Sequence, residues 1–281
     1  MKKRFALIGY PLGHTMSPFI HNHLFSLSNT DATYEALETH PESLKQQIEY
    51  LRSFDGFNIT IPHKEAVIPL LDSLGDSAKL YGAVNTVSQK NGLLTGHSTD
   101  ADGFSAALKL ANIPLSGKVL ILGSGGAART IATECMRHGC EVTIAVRRSS
   151  VLKAKALAFD LKERFTTTAK FICLEDVTGE YDLAVNGTPL GMYPNIEASP
   201  LSSHQMKNIK YFFDAVYNPE DTLFIKTAQN LGKQAISGMG MLVLQAAKAH
   251  EYWYGAKFDP EDIKRLIALS NQEMRRLFDK K

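Results

Sequence analysis

Apolar residues in this chain come in short runs, and the runs alternate between strand and helix periods. Val119 to Leu122 is a continuous apolar stretch of strand length that enters a glycine cluster, Gly123, Gly125 and Gly126. Residues of helical character come next and stop at Gly139, and a second strand-like run, Glu141 to Val146, ends in Arg147 and Arg148. The alternation continues with a helix over Ser150 to Phe165, strands over Lys170 to Leu174, Asp182 to Asn186 and Tyr211 to Val216, a helix over Thr222 to Leu231 and a strand over Gln234 to Ile236. Strands alternating with helices predict a parallel sheet with helices on its faces.

Upstream, Arg4 to Gly9 and Thr33 to Leu37 read as strands and Pro41 to Phe54 as a helix. Phe57, Ile59 and Ile61 alternate with Asn58 and Thr60, which predicts a strand with one polar side, ended by Pro62. His63, Lys64 and Glu65 open a helix expected to reach about Leu74. Asn91-Gly92 marks a hairpin, and a helix over Phe104 to Ala111 closes at Asn112-Ile113-Pro114. A long helix runs through Gln245 to about Trp253. A last amphipathic helix, Pro260 to Asp279, carries Ile263, Leu266, Ile267 and Leu269 on its apolar side and is expected to pack on the first domain.

The 281 residues leave room for two domains and a substantial core. A net charge of +2 gives no argument for nucleic acid or an acidic membrane surface. Cys135, Cys140 and Cys173 have neither metal-ligand spacing nor a paired framework, so no metal is expected and a reduced cytoplasmic setting fits. The N-terminal M-K-K-R-F-A-L-I-G has a short apolar run broken by Gly9, Pro11, Gly13 and His14, which favours a first strand over a signal peptide. No run is long enough to span a bilayer.

The glycine turn carries chemistry. Glycines tolerate the positive φ of a sharp strand-to-helix turn, and without side chains they let a pyrophosphate reach the helix N-terminus. The pattern Gly123-Ser124-Gly125-Gly126-Ala127 is a variant dinucleotide fingerprint. Val146, Arg147 and Arg148 occupy the end of the second strand, where a carboxylate would select NAD. Two arginines suit a 2′-phosphate, which favours NADP, with NAD as the alternative. The competing reading is a structural unit whose arginines face water.

Further candidates lie in the first part of the chain. Thr15 and Ser17 put two hydroxyls near the start of a helix at Pro18, as a carboxylate cradle or as simple capping by Ser17. Lys64 sits in a first helical turn, where the dipole disfavours a cation, as a proton-transfer group or a solvated surface lysine. Asp100 can pair with Lys64 or cap the helix after it, and Asn85 can donate to and accept from a substrate hydroxyl. Gln245 is a core amide, a surface residue or a ligand contact.

Eight segments in order then make the pattern specific: G-Y-P-L-G-H-T-M-S-P, F-N-I-T-I-P-H-K-E, G-A-V-N-T-V, G-H-S-T-D-A-D-G-F, L-G-S-G-G-A-A-R, N-G-T-P-L-G-M, D-A-V-Y-N-P and G-M-G-M-L-V-L-Q-A-A. Over nearly its whole length the chain resembles the shikimate/quinate dehydrogenase family. The resemblance implies an α/β chain of two domains around a cleft: a substrate domain over 1–102 and 238–281, and a Rossmann-type NADP-binding domain over 103–237. It implies reversible NADP-dependent reduction of 3-dehydroshikimate to shikimate, a step of aromatic amino-acid biosynthesis. Lys64 and Asp100 match the catalytic pair. Thr15, Ser17, Thr60, Asn85, Tyr217 and Gln245 match substrate contacts. The turn from Gly123 to Ala127, together with Arg147, Thr188, Met192, Gly238 and Met241, matches the cofactor site, with Arg148 as a further candidate. The partner is a small-molecule substrate, and oligomeric state stays open, a homodimer included.

Three departures bear on specificity. Thr15 stands where the family has serine, and its methyl narrows the carboxylate pocket. Ser98 replaces an asparagine beside Asp100. Val146-Arg147-Arg148 replaces N-R-T, which removes an asparagine that Arg148 is expected to offset. A quinate or dual-specificity dehydrogenase using NAD, and a non-catalytic NADP-binding sensor, are therefore the alternatives.

Overall fold

In the computed structural model, which describes residues 2–13 and 15–278 (without the side chain of Phe278), the first strand β1 (Lys3–Gly9) is buried on both faces. Phe5 and Leu7 point to one side and join Phe25, Tyr34, Ala249 and Trp253. Ala6 and Ile8 point to the other and join Ile48, Leu51, Phe57 and Ile59. A strand covered on both faces has no polar side to spare, which is why its sequence is apolar without alternation.

The chain divides into two compact units, Met1–Gly103 with Val243–Glu273, and Phe104–Leu242 with Met274–Lys281. The boundary between the units falls between Leu242 and Val243, inside a helix.

In the first unit β1 is followed by α1 (Ser17–Leu27), β2 (Ala32–Glu38), α2 (Leu44–Leu51), β3 (Gly56–Ile59), α3 (His63–Ala66), β4 (Ser73–Leu74), α4 (Asp76–Tyr81), β5 (Thr86–Lys90), β6 (Leu93–His97) and α5 (Asp100–Leu110), the last running on into the second unit. The strands form a six-stranded sheet in the order β2-β1-β3-β5-β6-β4. The pairs β1·β2, β1·β3 and β4·β6 are parallel, while β3·β5 and β5·β6 are antiparallel. The β5–β6 turn uses Asn91 at φ 54° and Gly92 at φ 82°, the geometry that a two-residue hairpin with asparagine and glycine favours.

Two local expectations change here. The helix from His63 does not reach Leu74: α3 ends at Ala66, a tight turn over Ile68–Leu70 holds Pro69, and β4 comes next. The Pro41 helix begins as a tight turn and ends at Leu51, short of Phe54. Strand β3 keeps its polar side, but that side is buried: Asn58 accepts from Tyr34 Oη at 2.7 Å and donates to Asn85 O at 3.1 Å.

The second unit holds β7 (Lys118–Leu122), α6 (Gly126–Arg137), β8 (Glu141–Val146), α7 (Val151–Arg164), β9 (Ala169–Cys173), β10 (Tyr181–Asn186), α8 (Ser203–Met206), β11 (Ile209–Asp214), α9 (Leu223–Asn230) and β12 (Gln234–Ile236). All its strand pairs are parallel, in the order β12-β11-β10-β7-β8-β9. That is the doubly wound order of dinucleotide-binding sheets, with the reversal of direction between β7 and β10. Thr222 caps α9 by accepting from Ile225 N.

Helix α10 (Met239–Tyr254) crosses the unit boundary and presents Trp253 to the first sheet, donating Nε1 to Val87 O at 3.0 Å. A Cβ on Gly56 would sit 2.5 Å from that indole, so only glycine admits the ring. In α11 (Pro260–Phe278) the buried stripe is Ile263, Leu266, Ser270 and Met274. Leu269, expected on the apolar side, is 44% exposed, because the stripe steps from Leu266 to Ser270. Asp279, the expected end of this helix, lies outside the described residues, as does His14.

Candidate active site

Lys64 lies on α3, which is one turn long and has little dipole to repel a cation. A carboxylate places it instead. Its Nζ donates to Asp100 Oδ2 at 2.6 Å, with side chains 30% and 15% exposed. Its backbone is fixed by Val84 N donating to Lys64 O at 2.8 Å. Asp100 opens α5, so one residue both starts a helix and meets the lysine.

Asn85 links this pair to its surroundings. Its buried side chain donates Nδ2 to Asp100 Oδ1 at 2.8 Å and to Thr99 Oγ1 at 3.0 Å, and its Oδ1 accepts from Thr99 N at 2.8 Å. Gln245 Oε1 accepts from Asn85 Nδ2 and Thr99 Oγ1, each at 3.3 Å. Both Asp100 oxygens thus hold donors, Lys64 on one and Asn85 on the other, a geometry that fixes the direction of the lysine amine. Thr99, just before α5, and Asn58, inside β3, which completes the Asn85 bracing, were not singled out as site residues by the sequence.

Thr15 and Ser17 are together: Thr15 Oγ1 donates to Ser17 Oγ and accepts from Ser17 N, both at 3.2 Å. Ser17 is not the cap. It is the first helical residue, Met16 holds the cap position without a side-chain bond, and Thr15 supplies the hydroxyl acceptor. Thr60 packs its Cγ2 where a Cβ on Gly9 would fall, 2.4 Å away, and among the described residues it makes no hydrogen bond to the Lys64 group.

In the second unit Gly123 adopts φ 104°. Gly125 and Gly126 do not need positive φ, contrary to the turn expected for the whole cluster; a Cβ on either would meet nothing, so their lack of side chains leaves open approach to the start of α6. The first turn of α6 carries no acidic residue. Ser124 is half-buried, and Ala127 is exposed on that turn. A Cβ on Gly123 would lie 2.8 Å from Thr188 Cγ2, so Thr188 packs on the glycine turn. Met192 is exposed, Met241 is buried in α10, and Gly238 approaches Ala215 O so closely that a Cβ would lie 2.4 Å from it. Tyr217 lies just after β11, and burial pushes its phenol up.

The two arginines differ. Arg147 is exposed; its backbone O accepts from Ser150 N at 2.8 Å, while its side chain makes no hydrogen bond or ion pair among the described residues. Arg148 donates Nε to Glu175 Oε1, so its charge is already matched by a carboxylate that the sequence did not point to. Two further residues were missed, Asn186 and Asp214, side by side at the ends of β10 and β11 and wholly buried. Among the described residues no group of three or more His, Cys, Asp or Glu could hold a metal ion, and no helix is long and apolar enough to cross a membrane.

Residues 7–87 match the family model of the shikimate dehydrogenase substrate binding domain. A shikimate dehydrogenase (NADP(+)) of Caldanaerobacter subterraneus subsp. tengcongensis is 38% identical over 264 residues, covering 92% of this chain and 94% of that protein. Shikimate 5-dehydrogenase from Thermus thermophilus, solved in complex with NADP(H) and shikimate, superposes with TM-score 0.86 at 36% identity, covering 95% of this chain and 99% of that one. Shikimate 5-dehydrogenase from Listeria monocytogenes, solved in complex with shikimate and NAD, gives TM-score 0.87 at 31% identity, covering 95% and 96%. With relatives of this identity matched from end to end, and with its lysine–aspartate pair and doubly wound sheet in place, the chain belongs to the shikimate dehydrogenase family.

Proposed function

We propose that this chain is an NADP-dependent shikimate dehydrogenase that interconverts 3-dehydroshikimate and shikimate. The observation that carries the mechanism is the Lys64–Asp100 ion pair, locked by Asn85. NADP supplies or accepts the hydride. The open approach over Gly125 and Gly126, the acid-free first turn of α6 and the exposed Arg147 fit its phosphates.

Lys64 delivers a proton to the substrate oxygen as the carbonyl is reduced and takes it back in the reverse direction. At 30% exposure its amine can regain a proton from solvent. Asp100 holds the ammonium in place and accepts from a substrate hydroxyl. Asn85 and Gln245 orient that hydroxyl, and the Thr15–Ser17 pair, with Thr60, takes the carboxylate and the rest of the ring acid. The first unit is the substrate-binding part and the second the nucleotide-binding part.

A second reading, a quinate or dual-specificity enzyme using NAD, is favoured by Thr15 and by the engagement of Arg148 with Glu175. Initial rates of purified protein with shikimate and quinate, each against NADP and NAD, separate the two. Fastest turnover of shikimate with NADP is expected, and a clear preference for quinate with NAD would displace the first reading.

A further inference from the structure

Where β7 and β10 run side by side, the chain leaves β10 at Asn186 and passes directly over the glycine turn. The register pairs Asn186 with Leu122, and Gly187 N donates to Leu122 O at 2.9 Å. Gly187 is so close to α6 that a Cβ would lie 2.8 Å from that of Ala128. This is the switch point of the sheet, where doubly wound folds place their ligands.

Asn186 shapes the loop that begins at Gly187. Its Oδ1 accepts from Thr188 N at 3.0 Å and Thr188 Oγ1 at 2.6 Å, and its Nδ2 donates to Leu190 O at 3.1 Å. Thr188 Oγ1 accepts in turn from Leu190 N at 3.2 Å. The amide is itself gripped from the neighbouring strand, since Nδ2 also donates to Asp214 Oδ1 at 2.9 Å. Asp214 is fixed by Val216 N at 3.0 Å on the same oxygen and by Thr222 Oγ1 at 2.6 Å on the other. All of Asn186, Asp214 and Thr222 are fully buried. Burial pushes the Asp214 carboxyl up to about 6 against three donors that pull it down, so the carboxylate is kept at a cost that a purely apolar core would avoid.

We infer that Asn186, clamped by Asp214, is a positioning residue for the nucleotide: it sets the Thr188–Leu190 loop against the Gly123 turn in the shape that receives the cofactor. The inference rests on the NADP reading above. A polar clamp at this point does what apolar packing cannot, because it fixes three groups of a loop, two on Thr188 and one on Leu190, by direction as well as by distance.

The test is NADPH binding by fluorescence and shikimate binding by calorimetry on the full chain, with KM values for both. Asn186→Ala is expected to weaken NADPH binding on the order of tenfold, the size of one or two lost buried hydrogen bonds, with shikimate affinity unchanged. Thr188→Val keeps the methyl against Gly123 but loses the hydroxyl, and is expected to weaken NADPH similarly, while Thr188→Ser retains binding. The double variant Asn186→Ala/Thr188→Val is expected to be no worse than the first single variant. If Asn186→Ala does not fold, the valine and serine variants decide. Wild-type NADPH affinity in Asn186→Ala or Thr188→Val, additive losses in the double variant, or equal losses for NADPH and shikimate overturn the inference alone. No NADPH binding by the wild type overturns the cofactor reading and the inference with it.

Discussion

Asn85 donates Nδ2 to Asp100 Oδ1 at 2.8 Å, which leaves the second carboxylate oxygen of Asp100 facing Lys64. The amide therefore governs where the lysine ammonium stands, although it does not touch that group. Lys64→Ala is expected to lower kcat by about 10²–10⁴-fold with little change in shikimate KM, as for a lost proton donor. Asn85→Ala is expected to lower kcat less and to raise shikimate KM, since it both loosens Asp100 and removes a hydroxyl contact. Steady-state kinetics on both variants check this, and an unchanged kcat in Lys64→Ala removes the lysine from the chemistry.

The parts of this site that were legible in the sequence are those built locally. The unit β7–α6–β8 has its strand, glycines, helix and terminal arginines within a single stretch, so periodicity and turn chemistry suffice to place them. Helix α4 escaped because six residues between Gly75 and Gly82 are too few to show a period. The overlong helix after His63 came from an apolar pattern that Pro69 interrupts. Asn186 and Asp214 were invisible for another reason: they meet only through the pairing of β10 with β11, and nothing local marks a buried asparagine that braces a loop. Gln245 was ambiguous alone and became specific only where α10 brings it to Asn85 and Thr99.

Arg147 and Arg148 are adjacent but should not be equivalent toward the cofactor. Arg147→Ala is expected to raise KM for NADP on the order of tens of fold and leave KM for NAD nearly unchanged, as for a lost charge-assisted contact to a phosphate. Arg148→Ala is expected to stay within about twofold, because its partner is Glu175 and exposed ion pairs contribute little. Equal losses in the two variants would show that Arg148 leaves Glu175 to meet the 2′-phosphate.

His21 and His250 form a buried pair, Nδ1 to Nε2 at 2.8 Å, with His21 stacked on Tyr34 at 4.1 Å and His250 bonded to Tyr254 Oη. Burial, with the neighbouring imidazole, pushes His21 well down, and burial pushes His250 down to about 3. An unfolded histidine takes up a proton near pH 6.5, so below that pH the unfolded chain binds protons that the folded chain refuses. This contribution is complete above the unfolded value and is lost as pH falls from there toward about 3. Asp214, raised from 3.8 to about 6, works in the opposite direction, since its folded carboxyl holds a proton more readily than the unfolded one. The diagnostic is therefore a difference: the midpoint of urea unfolding in His250→Gln should fall less steeply between pH 7 and about 4.5 than that of the wild type. Parallel curves would mean that the pair does not titrate on unfolding.

Ser98 stands two residues before Asp100, and its setting gives a prediction of unusual sign. The side chain is fully buried, and its Oγ has no hydrogen-bond partner among the described residues, while its backbone N donates to Ser77 Oγ at 3.0 Å. A buried hydroxyl without a partner forfeits its hydration, a loss of roughly 1–3 kcal/mol that removal of the oxygen recovers in part. Ser98→Ala keeps the backbone bond and leaves little space behind. It is expected to be neutral or to stabilise by up to about 1 kcal/mol, with kcat unchanged because Asp100 is held by Asn85 and Lys64 rather than by Ser98. Thermal unfolding with matched kinetics checks both halves. A destabilised Ser98→Ala would mean that the hydroxyl is hydrogen-bonded in solution, and a large fall in kcat would place Ser98 among the groups that hold the Asp100 loop.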